Sequence, residues 1–143
     1  MPKSFTSPIN FFKATNSDKF LLLLGVILNK KTRGRKKMKA SVDFSFGERE
    51  LTAGLCGEID HHTAKGVREK IDGEFFKKRP SVLELDFSSV SFMDSSGIAL
   101  IIGRHELVSE FDCSLRLSGL SEVQKRLVRL SGIERLSNLS IKE

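Results

Sequence analysis

The stretch of this chain best suited to a chemical role is Asp94-Ser95-Ser96-Gly97. An extended apolar entry, Val90 and Phe92, precedes them. Ile98, Ile101, Ile102, His105 and Val108 follow at helical spacing. The two serines therefore fall at a helix N-terminus, with the periodic run starting at Ile98. Backbone N–H groups there lack intrahelical partners and carry positive partial charge, so a phosphate on Ser96 would be held locally. Ser96 is the candidate switch residue. The same residues also suit a purely structural role, with Asp94 or Ser95 capping the helix and Gly97 easing the turn.

Other chemistries fit less well. A serine nucleophile would want the Gly-x-Ser-x-Gly elbow, which is missing. His105 lies nine residues along the same helix from Ser96, too far for its ring to reach the hydroxyl. His61 and His62 have no further ligands at metal-site spacing. No glycine-rich nucleotide loop occurs. The residues thus point to no catalytic group, no metal site and no cofactor.

Positioning these residues takes a domain, and the charge pattern locates it. Residues 1–40 hold ten Lys and Arg against the single acid Asp18, for +9, whereas residues 41–143 carry −3. The high pI belongs to the extension, which reads as a solvated segment or a contact for anionic lipid or nucleic acid. The −3 domain offers no basic stripe for direct nucleic-acid binding. Phe20–Leu28 is nine apolar residues long, about half of the ~20 needed to span a bilayer, so stable membrane insertion is not expected. A basic run follows it where a signal peptide would have a cleavage site. Residues 1–40 are expected to be a basic, disordered extension, with Met38 as a candidate natural start and residues 41–143 as the folded domain. Cys56 and Cys113 each lie in a strand-like run with no disulfide or metal spacing. They are expected to be buried reduced thiols in a cytoplasmic protein.

Within the domain, Val42, Phe44 and Phe46 alternate with polar residues, Gly47–Glu50 turns, and Leu51–Cys56 returns as a second strand. Gly57-Glu58-Ile59-Asp60 ends that strand, and Asp60 is placed to cap a helix over residues 65–78 with Ala64, Val67, Ile71 and Phe75 inward. Pro80 closes that unit. Val82–Phe87 reads as a central third strand and Cys113–Leu117 as a fourth. Ser121 and Gln124 form a possible capping box for a third helix with Val123, Leu127 and Leu130 on one face and Gly132 at its stop. Ile133–Ile141 can supply a last strand. The order β-β-α-β-α-β-α-β implies an α/β fold with a mixed, mostly parallel sheet and the first strand antiparallel at one side. Loops leaving the carboxyl ends of parallel strands gather at one edge, so Asp60 and Asp94-Ser95-Ser96 should be neighbours.

Several stretches in order then carry a resemblance. Gly57-Glu58-Ile59-Asp60-His61-His62-Thr63-Ala64, Val82-Leu83-Glu84-Leu85-Asp86, Ser91-Phe92-Met93-Asp94-Ser95-Ser96-Gly97, Gly103-Arg104 and Ser121–Gly132 make the chain similar to the anti-sigma factor antagonist family, the STAS domain, over about residues 41–140. It most resembles the sporulation-type member in which the serine before the glycine is phosphorylated. Members commonly continue into a final helix, whereas this chain stops at Glu143.

The resemblance implies a cytoplasmic, non-enzymatic regulator of transcription that works by partner switching. Unphosphorylated, such a protein binds an anti-sigma factor that is also a serine kinase, releasing the sigma factor. Phosphorylation of Ser96 breaks the complex and a metal-dependent serine phosphatase restores it. In that picture Ser95 positions the turn, and Asp60 and Asp94, with Ser95 and Gly97, make the partner-binding surface. A STAS accessory subunit of a lipid-transport or stress-signalling assembly is the alternative within the same resemblance.

Overall fold

The computed structural model describes residues 39–143. The expectations for Phe20–Leu28, the Met38 start and the basic run lie outside the described residues. The chain forms β1 (Ser41–Gly47), β2 (Glu50–Ile59), α1 (Ala64–Lys78), β3 (Val82–Met93), α2 (Ser95–Ser109), β4 (Ser114–Ser118), α3 (Glu122–Ser131), a 3-10 turn (Ile133–Arg135) and β5 (Leu139–Ile141). This is the expected element order. The strands lie in spatial order β1-β2-β3-β4-β5, with β1 antiparallel to β2 and every other pair parallel.

Sequential parallel strands joined by right-handed crossovers place all three helices on one face of the sheet. The register agrees. Leu51, Leu83 and Leu115 align across the sheet, as do Ala53, Leu85 and Leu117, and all six are fully buried. The next row over, Thr52, Glu84 and Arg116, points the other way. On that polar face Arg116 Nη1 donates to Glu84 Oε1 at 2.9 Å and to Glu50 Oε1 at 3.1 Å, and Ser118 Oγ donates to Glu84 Oε2 at 2.6 Å. Burial acts to raise the Glu84 carboxyl, but the Ser118 and Arg116 hydrogen bonds outweigh it and hold the group below its ordinary range.

The hairpin joining β1 to β2 has a two-residue loop, Glu48-Arg49, with φ of 52° and 66°. Both residues sit in the left-handed region that a type I′ turn demands, without the Asn-Gly pair that adopts it most readily. In α1, Val67, Ile71 and Phe75 are buried as their spacing predicts, and the helix closes on Arg79 ahead of Pro80. The capping box of Ser121 and Gln124 is formed, and Gly132 ends α3 at φ 78°. Cys113 is buried as expected, whereas Cys56, also expected to be buried, is only half-buried; both are free.

Other expectations are refined or changed. Strands β2 and β3 run on to Ile59 and Met93, past the polar residues that suggested breaks, because two register shifts let pairing resume at Cys56–Ser89 and at Glu58–Phe92. Helix α2 starts at Ser95, so both serines lie in its first turn as expected, and only the start of the apolar run at Ile98 comes a turn later than the start of the helix. Asp60 does not cap α1; Thr63 holds the N-cap position and makes no side-chain capping bond. In α3 the inward side chains are Gln124, Leu127 and Val128, while Val123 and Leu130 are exposed. Its short contact with the rest of the domain favours the 124–127–128 stripe, and Gln124 reaches in to donate to the Val90 carbonyl at 3.5 Å.

Candidate functional site

The site forms where β2 and β3 end side by side. The Asp94 N–H donates to the Ile59 carbonyl at 3.2 Å, which ties the β3–α2 junction to the end of β2 and brings the Asp60 and Asp94 turns together as expected. Asp60 Oδ1 accepts from the backbone N–H groups of His62 at 2.8 Å and Thr63 at 3.1 Å, so the carboxylate builds the turn ahead of α1. Thr63 Oγ1 donates to the Glu58 carbonyl at 2.8 Å and accepts from the Asp60 N–H at 3.0 Å, locking that turn from the other side.

Asp94 is the N-cap of α2. Its Oδ1 accepts from the Ser96 N–H at 2.7 Å, and its carbonyl accepts from the Gly97 N–H at 2.9 Å. Asp60 and Asp94 are only 4% and 6% exposed, so they shape the edge from beneath. Ser95 and Ser96 are half-buried at the surface of the first turn. Gly97 is buried, and a Cβ there would overlap the Cγ and Sδ of Met93, which packs directly onto it. Glycine lets the start of α2 sit this close to the end of β3.

Below this turn, Ile98, Ile101, Ile102 and Val108 anchor α2 in the core, joined by Leu100. His105 faces away from the serines and donates through Nε2 to the Ser137 carbonyl at 2.6 Å. His61 and His62 are exposed, with ring centroids 3.9 Å apart. Among the described residues no cluster of three His, Cys, Asp or Glu side chains is arranged to hold a metal, and no helix is long and apolar enough to cross a membrane.

Ser96 stands at the head of a cavity of about 420 Å³ between α1 and α2. Lys65 and Arg68 line the α1 wall, and Arg104 and Glu106 line the α2 wall. The reading of the sequence gave these cations no role. Arg104, which the sequence marked only as part of the Gly103-Arg104 stretch, lies four residues from both Leu100 and Val108 and so shares their inward row. It is 5% exposed, with Nε 3.0 Å from Asp72 Oδ1. Burial lowers the Arg104 pKa, Asp72 opposing, and burial raises that of Asp72, Arg104 opposing.

Comparison with known proteins covers most of the chain. The STAS domain model matches residues 51–142. The anti-sigma-B factor antagonist of Bacillus subtilis (strain 168) is 30% identical over 73% of this chain and 94% of its own length. The anti-sigma F factor antagonist of Paenibacillus polymyxa is 28% identical over 67% of this chain and 82% of its own. Two solved structures share the fold. The anti-sigma factor antagonist SpoIIAA in its unphosphorylated form superposes with a TM-score of 0.57 at 23% identity, covering 72% of this chain and 88% of that one. An anti-sigma factor antagonist from Mycobacterium paratuberculosis superposes with a TM-score of 0.63 at 20% identity, covering 71% and 86%.

Proposed function

The chain belongs to the STAS domain family, and on that footing we propose that it is an anti-sigma factor antagonist switched by phosphorylation of Ser96. The names of the two curated relatives support the general role, which is binding and not a reaction. The observation that carries the switch is the placement of Ser96. It lies half-buried in the first turn of α2, on a shelf that Asp94 caps and Gly97 presses against β3, at the mouth of a cavity.

Unphosphorylated, the domain formed by residues 41–143 binds an anti-sigma factor that is also a serine kinase, and the sigma factor is released. The kinase transfers the γ-phosphoryl of ATP to Ser96 Oγ, ADP departs and the hydroxyl proton is lost. The modified surface carries roughly two added negative charges, and their repulsion and desolvation within the interface end the complex. A metal-dependent phosphatase reverses the change. Ser95 positions the turn, and Asp60, Asp94 and Gly97 hold the shape of the surface. The +9 of residues 1–40 is the ground for reading them as a basic extension, although Ala40, at its end, packs against the core.

Incubation with a cognate kinase and ATP, read by intact mass, tests the assignment. One phosphate is expected, absent from Ser96→Ala; phosphate on Ser95 or Ser91 instead rejects it. Ser96→Asp is expected to weaken partner binding by at least about 1.4 kcal/mol, roughly tenfold, by calorimetry. Ser96→Ala should bind like the parent.

A further inference from the structure

A phosphate on Ser96 needs partners, and the helix N-terminus offers fewer than its sequence suggests. Asp94 already occupies the Ser96 and Gly97 N–H groups with its carboxylate and its carbonyl. The cavity supplies what the helix end does not. Its floor along α2 is formed by small residues, Ala99 and Gly103, and a Cβ at Gly103 would meet nothing within 4 Å. An open trough thus runs down from Ser96, with Lys65 and Arg68 on the opposite wall. Among the described residues, neither cation makes a close ion pair or a hydrogen bond, although Arg68 lies in the field of the Asp72 carboxylate. Arg104 adds a third charge. Its side chain is 7% exposed, and its Nη1 has no hydrogen-bond partner among the described residues.

We propose that the phosphate on Ser96 folds into the trough between α1 and α2 and is bound there in cis by Lys65 and Arg68. This rests on Ser96 being the modified residue. Phosphorylation then does more than add repulsion, because it also removes the trough's cations from the surface offered to a partner. Both effects turn the same face off. The charged groups around the phosphate are Asp60 and His61 from the turn after β2, Lys65, Arg68 and the Arg104-paired Asp72 from α1, and Asp94, Arg104 and Glu106 from the α2 side. The carboxylates oppose the dianion and the cations favour it. The latch requires Lys65 and Arg68 to dominate locally.

The test places phosphoserine at position 96 by genetic code expansion, so that no kinase is involved, and follows its 31P resonance with pH at physiological ionic strength. A free phosphoserine takes up its second proton near pH 6. In the latched protein Lys65→Ala and Arg68→Ala should each move that midpoint upward by about half a unit or more, roughly a threefold change in proton affinity. Lys70→Ala, an exposed lysine of α1 outside the trough, is the control and should leave it in place. Equal midpoints in the parent and both trough variants would overturn the latch. So would a Lys70→Ala shift as large as that of Lys65→Ala, since that would be a general field effect. A kinase that fails to label Ser96 would sink the proposed function while leaving this titration intact. A labelled Ser96 with an unmoved midpoint would sink only the latch.

Discussion

Removing the Asp94 carboxylate tests whether the switch turn is held as the geometry requires. In Asp94→Ala the Ser96 N–H loses the acceptor that lies 2.7 Å away, in a position where the capping residue is 6% exposed. Loss of an Asp N-cap costs about 0.5–2 kcal/mol, and burial moves this case toward the upper half, about 1.5 kcal/mol, because water replaces the acceptor poorly. A domain of roughly 100 residues has an unfolding entropy of about 0.2 kcal/mol per degree, so the expected fall in Tm is about 7 °C. Asp94→Asn keeps an oxygen acceptor at the same reach and gives up only the charge at the helix end, worth about 0.3–1 kcal/mol. It should lose about 1.5–5 °C. Circular dichroism and calorimetry on the three proteins decide it. An Asn variant that falls as far as the Ala variant would show that charge, not the cap, holds the turn. An Ala variant within a degree of the parent would show that the bond holds nothing.

Three further outcomes follow from other parts of the domain. Glu84 is held below its ordinary range in the folded state, so its contribution to stability is present above its unfolded pKa and is lost as pH falls through the folded one. Glu84→Gln should therefore be less stable by about 1–3 kcal/mol at neutral pH, with the gap closing on acidification in urea melts; a gap that does not depend on pH would refute the ion network. Burial pushes the Cys113 thiol up to about 11, so a thiol reagent at neutral pH should label half-buried Cys56 first and Cys113 only on unfolding; equal labelling rates would contradict the packing at the start of β4. A chain starting at Met38 should melt within about 1 °C of the full chain, since the extension is expected to add no packed surface. A large loss would show that Phe20–Leu28 packs on the domain.

The element order, the helix faces of α1 and α2, the capping box of α3 and the position of Ser96 are all legible in the amino-acid sequence. Each of these is written locally, in apolar spacing or in the identity of a capping residue a few positions away. Tertiary structure decided where the strands end. Ser88 and Ser89 look like a break until pairing with β2 carries the backbone through them. It also decided that Asp60 builds a turn from beneath rather than capping α1, because the Thr63 hydroxyl bonds the end of β2 and fixes that turn ahead of the helix. The trough beside Ser96 was legible least of all. Lys65 and Arg68 look like any solvated helix face, and only the packing of α1 against α2 sets them across from a serine about thirty residues away, with buried Arg104 between the two helices.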